Sequence, residues 1–179
     1  KEFYEELKKE NPGKDMSNHP ARYALVEIVN LHSPALKFEA IHRIVTDVDT
    51  QNLISEMTEN LGLDEKSSEC EQSFEYVING VRTSVGITKP SSKLTVGSLQ
   101  QFLDGYIKEN GGKIDYIHGT EVIDKLSMNK GSIGFILPDM AKSELFPTVI
   151  CDGALPRKTF SMGHAWDKRY YVECRKITD

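Results

Sequence analysis

The sequence predicts an α+β fold, a mixed β-sheet with helices packed on it, and three patterns carry that expectation. Apolar runs at residues 74–78 and 81–88 flank Asn79-Gly80, the dipeptide a two-residue hairpin turn favours because both central residues take positive φ. A strand–helix–strand pattern, a βαβ unit, occupies residues 114–137. Residues 50–61 and 96–108 place their apolar side chains at helical spacing.

In chain order, residues 1–10 form a first helix with Phe3 and Leu7 four apart on one face, ended by Asn11-Pro12-Gly13. Residues 22–31 are apolar on both alternating sides and predict a central strand, with Glu27 the exception that needs a partner if buried. Ser33-Pro34 turns the chain into residues 36–45, a short strand or a turn carrying His42-Arg43. The helix at 50–61 has Leu53, Ile54, Met57 and Leu61 in phase, with Gly62 as its C-cap. After the hairpin and a polar loop, the helix at 96–108 points Leu99, Phe102, Leu103, Tyr106 and Ile107 inward and stops at Asn110-Gly111-Gly112.

The βαβ unit joins apolar runs at 114–118 and 133–137 through the turn Gly119-Thr120-Glu121 and a helix to about Leu126. Its crossover is expected to be right-handed, onto a parallel neighbour. Thr120 is read as the cap of that helix. Pro138-Asp139, another helical stretch and a basic loop at 155–163 follow, and residues 169–177 alternate as a half-exposed strand. With no internal repeat and no long linker, residues 1–179 read as a single α+β domain.

Composition excludes several function classes. The 179 residues are 39% hydrophobic and 27% charged, which fits a folded globular chain, and no apolar run is long enough for a membrane helix. Cys70, Cys151 and Cys174 are odd in number and lack metal-type spacing, so a reducing cytoplasm is the expected location and each thiol reads as a small buried hydrophobe. The net charge of −5 argues against nucleic acid as a partner. Charge is unevenly placed: residues 47–75 hold nine acids against Lys66, while residues 157–176 hold six bases against Asp167 and Glu173. That asymmetry steers an anion to one face, pairs the tail with the acidic segment, or is simply solvated.

Dinucleotide, Walker-type, zinc-protease, Cys-x-x-Cys and nucleophile-elbow motifs are all missing from the sequence, so no motif specifies a cofactor or a metal. What remains points to an anion. In sheets with crossover helices, ligands sit beyond strand ends where helix N-termini present unpaired N–H groups, and His118-Gly119-Thr120 and Pro138-Asp139 occupy such ends. Arg157-Lys158-Thr159 offers two cations and a hydroxyl behind a stiffening proline. His42-Arg43 could protonate and clamp a phosphate, although an exposed dipeptide at a strand end is the plainer explanation. Residues 164–171 interleave aromatics with bases as a single-strand nucleic-acid surface would.

The runs Arg22 to Asn30 and Ile41 to Val45, with the loop Leu155 to Phe160, resemble the uncharacterised bacterial family known as domain of unknown function 1015. Residues 99–119, including Ile114-Asp115-Tyr116-Ile117-His118-Gly119, resemble one branch of the same family. The resemblance implies the C-terminal part of a longer protein whose Asp-Gly-x-His motifs lie upstream, so this segment would be inactive by itself and would work with the remainder of the parent chain. It also implies an analogy to ParB-like proteins, a superfamily with nucleotide-binding and kinase relatives. On that footing His42, Arg43, Lys158 and Asn30 match motifs that could meet a phosphate; Arg157, Thr159 and His118 are added by the local reading. The expected function is a lobe of an enzyme that binds a nucleotide or another phosphorylated small molecule, with His42 in proton transfer and the other six residues on the anion. The alternatives are a non-catalytic assembly module and a ParB-like nucleic-acid-associated protein.

Overall fold

The computed structural model describes residues 1–26 and 28–163. The chain divides into two compact units, one containing Lys1–Leu31 and the other His32–Lys168. The expected strand at 169–177, the aromatic–basic stretch at 164–171 and Glu27 lie outside the described residues. No helix among the described residues is long and apolar enough to cross a membrane.

In the first unit, α1 (Glu2–Glu10) ends where the Asn11 side chain donates to the Leu7 carbonyl at 3.0 Å, and Tyr4 donates its hydroxyl to the Met16 carbonyl at 2.8 Å. A single 3₁₀ turn, Pro20–Arg22, is capped by His19, whose Nδ1 accepts from the Ala21 amide. The strand expected at 22–31 does not form: its described residues carry no ladder, and Ile28 is 86% exposed. Apolar alternation makes a strand only where another strand supplies hydrogen bonds, and no described strand does so here.

In the second unit, β1 (Phe38–Ala40) pairs with β8 (Phe160–Met162), with Phe38 stacked on Phe160 at 4.0 Å. The main sheet comprises β2 (His42–Thr46), β3 (Leu63–Asp64), β4 (Gln72–Ile78), β5 (Val81–Ile87), β6 (Lys113–Ile117) and β7 (Ile133–Ile136). Their order is β3-β5-β4-β7-β2-β6, with every pairing antiparallel. The β4–β5 pair closes through Asn79 and Gly80, with φ of 50° and 74°, and places Ile78 opposite Val81.

The remaining helices are α2 (Thr50–Leu61), α3 (Thr95–Asn110), α4 (Thr120–Leu126) and α5 (Leu145–Asp152). Strand β6, α4 and β7 form the expected strand–helix–strand unit, but β7 is not the parallel neighbour of β6. β2 lies between them, antiparallel to both. That slot is filled from far away in sequence by a strand whose His42-Arg43 disguises its central position.

Leu53 and Met57 of α2 and Leu99 and Leu103 of α3 are fully buried, while Phe102 and Ile107 are only half-buried. Ile123 of α4 packs with Ile44 and Val77 in a buried apolar cluster. Thr120 is the first residue inside α4 and makes no cap; Gly119 holds the cap position.

Candidate functional site

Consecutive strand residues point to opposite faces, and β2 applies this rule to His42 and Arg43. Arg43 turns towards α3. Its guanidinium is fully buried and donates to the Ile41 carbonyl, to Gln100 Oε1 at 3.2 Å and to the Arg157 carbonyl at 3.2 Å. Loss of water lowers its pKa to about 10, with the Tyr116 hydroxyl and Asp104 partly opposing the shift, so it stays charged at neutral pH. Arg157 donates to Tyr116 Oη at 2.5 Å and to Asp104 Oδ1 at 2.8 Å, which raises its pKa above the ordinary arginine value. Both guanidinium carbons lie over the Tyr116 ring, at 5.2 and 5.7 Å from its centroid. The two arginines therefore meet, and what they hold is the 155–159 loop.

His42 turns the other way, in phase with Ile44. It is 6% exposed rather than part of an exposed dipeptide. Its Nδ1 accepts the Leu137 amide at 3.2 Å, which fixes the proton on Nε2. Burial lowers its pKa, with Asp139 pulling in the other direction. His118 Nε2 lies 2.8 Å from Glu39 Oε2. Asn30 belongs to the first unit. Lys158 is exposed and takes φ of 55°, a conformation uncommon for a residue with a side chain. Thr159 is 7% exposed and donates to the Pro156 carbonyl at 2.6 Å.

Of these seven residues, Thr159 alone lines a cleft of about 240 Å³ at the sheet end where β7 finishes and β4 begins. The first turn of α3 forms one wall, with Lys93, Leu94, Thr95 and Val96. The opposite wall carries Pro138, Asp139, Met140 and Glu144, with Glu71, Gln72 and Ser73 between them. Leu94 sits at the cap position of α3, a sixteen-residue helix, and offers no side-chain acceptor, so the amides of Thr95 and Val96, both lining residues, have no side-chain cap. Thr95 is 8% exposed, and its hydroxyl has no hydrogen-bond partner among the described residues.

The wall is held rigidly. Asp152 Oδ2 accepts from the Lys93 amide at 2.6 Å and from Ser92 Oγ at 2.7 Å, and both bonds lower its pKa. Buried Gln72 donates to the Ser92 carbonyl and accepts from Ser98 Oγ. Gly97 lets this loop approach, since a Cβ there would stand 2.1 Å from Ser92 Oγ. The sequence signal for this site was a helix beginning with Thr95 behind a polar loop and lacking a capping side chain at Leu94. Among the described residues no group of three or more His, Cys, Asp or Glu side chains is placed to hold a metal ion.

Solved structures share this fold. A mutant of free serine kinase in complex with AMP matches with a TM-score of 0.57 and 17% identity, covering 76% of this chain and 58% of that one. The same enzyme with ADP matches with a TM-score of 0.57 and 16% identity, over the same shares. A conserved hypothetical protein from Pyrococcus furiosus matches at 0.56 and 18%, covering 78% of this chain and 61% of that one. The chain thus spans less than two thirds of the length of the structures it matches. No curated protein matches it in sequence. The family model described as "Protein of unknown function (DUF1015)" matches residues 1–106, well over half of the sequence, and the chain belongs to that family.

Proposed function

We propose that this protein binds a nucleotide or another phosphorylated small molecule, with the phosphoryl group seated in the cleft at the start of α3, as part of a cytoplasmic enzyme. The observation that carries this reading is Thr95, a residue only 8% exposed whose hydroxyl has no protein partner among the described residues and lines the cleft, next to helix amides without a side-chain cap. A phosphoryl oxygen satisfies both, and the positive end of the helix dipole favours its charge. Thr159 faces the same space.

Further support comes from the fold's likeness to an enzyme solved with AMP and with ADP. Size narrows the reading. A cleft of about 240 Å³ lies below the roughly 300–1,000 Å³ of ordinary ligand pockets, so it takes a phosphoryl group with a small remainder, or only the phosphate end of a nucleotide. Arg43 and Arg157 act here as positioning residues for the loop that delivers Thr159, and exposed Lys158 is available to an incoming anion.

Calorimetric titration of the full chain with inorganic phosphate, AMP and ADP tests the reading. Binding weakened about tenfold by Thr95→Val supports it, that being the scale of one lost hydrogen bond to a charged group. No binding, or binding indifferent to Thr95→Val, overturns it.

A further inference from the structure

The charge of the cleft does not match a bare phosphate. Lys93 is its one cationic lining residue, whereas Glu71, Asp139 and Glu144 all line it. Asp139 Oδ1 accepts from the Ala40 amide and Glu144 Oε2 from the Ala141 amide, each at 2.7 Å, which leaves one oxygen of each carboxylate uncommitted. Glu71 has no hydrogen-bond partner among the described residues. A dianion seated on the α3 amides would share a cleft of about 240 Å³ with these carboxylates and be repelled by them unless positive charge came with it.

We infer that the ligand of this cleft is a small phosphate monoester that brings compensating positive charge beside its phosphoryl group, either as a primary ammonium on the same molecule or as a bound divalent cation. The inference rests on the phosphoryl reading above. Carboxylates alone would not indicate a ligand; Thr95, the side chain of a residue 8% exposed that lines the same cleft and has no protein partner among the described residues, does so independently. The two walls then divide the work. The helix start and Thr95 hold the phosphoryl oxygens, and Glu71 with the uncommitted oxygens of Asp139 and Glu144 holds the cation. An ammonium can meet all three carboxylates, whereas a divalent ion would take oxygens from one or two of them and the rest from phosphate and water, as magnesium commonly does, because no three such side chains among the described residues are placed to hold a metal ion together.

The test titrates the full chain with inorganic phosphate, propyl phosphate and aminoethyl phosphate, each with and without magnesium. The last two are close in size and differ in one ammonium. Aminoethyl phosphate binding about tenfold tighter than propyl phosphate without magnesium identifies the ammonium as the source. Propyl phosphate gaining about tenfold on adding magnesium identifies the metal. In either case Glu71→Gln, which removes charge without breaking a hydrogen bond, narrows the gain to about threefold or less. Equal binding of the two esters with no magnesium effect overturns this inference and leaves the phosphoryl reading standing. A gain that survives Glu71→Gln intact overturns the assignment of that wall. If none of the three binds under any condition, both readings fall.

Discussion

Arg43 reaches the main chain of Arg157, donating from Nη2 to its carbonyl oxygen at 3.2 Å across 114 positions of sequence. The circuit closes through side chains: Arg43 to Gln100, Gln100 to Asp104 at 2.8 Å, Asp104 to Arg157, and both guanidinium groups to the Tyr116 ring. Strand β2, helix α3, strand β6 and the 155–159 loop are thereby joined around one buried positive charge. Among the described residues Arg43 makes no direct ion pair; carbonyl oxygens, an amide oxygen and an aromatic face stand in for water.

This arrangement separates stability from loop control. Arg43→Ala leaves a large void and three unpaired acceptors, and is expected to destabilise the fold by about 3–5 kcal/mol in urea unfolding. Arg43→Met keeps most of the volume and removes the cost of burying charge but leaves the same three acceptors unpaired, so it should be destabilised by about 1–3 kcal/mol, less than the alanine variant. The loop loses its bond to Arg43 in both, so trypsin should cut faster after Lys158 in the methionine variant, by more than its change in global stability accounts for.

Thr95 invites a comparison of stability with binding. Its hydroxyl bonds to nothing among the described residues, so Thr95→Val should leave the free protein within about 0.5 kcal/mol of the parent, or slightly more stable. A residue whose isosteric replacement leaves the fold intact and weakens phosphate binding is a ligand contact. Unfolding curves and titrations on the same samples supply both readouts.

Thr148 in α5 is the complementary case. It is 1% exposed, and its Oγ1 is a fully buried atom without a hydrogen-bond partner. Thr148→Val removes that desolvated group at constant shape and should raise stability by about 1 kcal/mol, read as a higher denaturation midpoint at an unchanged slope.

His42 gives the fold a pH dependence. Burial holds its folded pKa below the ordinary 6.5, so the unfolded chain takes up a proton first as pH falls. Its contribution is present in full above pH 6.5 and is lost as pH drops from there through the depressed folded value. His42→Gln should flatten the stability–pH curve in that acidic window and leave the curve's shape near neutral pH unchanged. Urea midpoints measured through the window decide it; an unchanged acid slope in the variant would contradict the assignment.

Gly80 occupies a positive-φ position next to Asn79. Gly80→Ala should cost about 1 kcal/mol through left-handed strain, whereas Asn79→Gly should change stability by a few tenths at most, in thermal or urea unfolding.

What the sequence determined by itself was local. The α2 helix ends at Gly62 in the left-handed conformation, α3 buries Leu99, Leu103 and Tyr106, and the βαβ stretch supplies two strands and a helix. These outcomes depend on side-chain spacing and on backbone preferences that act within a few residues. Pro138-Asp139 and Thr159 were legible as candidates because turns at strand ends and hydroxyls in basic loops carry their own chemistry.

Tertiary structure alone decided the rest. His-Arg inside a strand does not look buried until Gln100 and Arg157, 57 and 114 positions away, supply hydrogen bonds to Arg43. β2 could be placed between β6 and β7 only once those distant partners were assembled. The same pairing sent His42 and Arg43 to opposite faces, dissolving the two-residue clamp that adjacency in sequence had suggested. The cleft, too, joins walls from β4, α3 and the segment after β7, which touch because the sheet brings their ends together. Burial and charge compensation are properties of neighbours in space, and a linear chain specifies those neighbours only by folding.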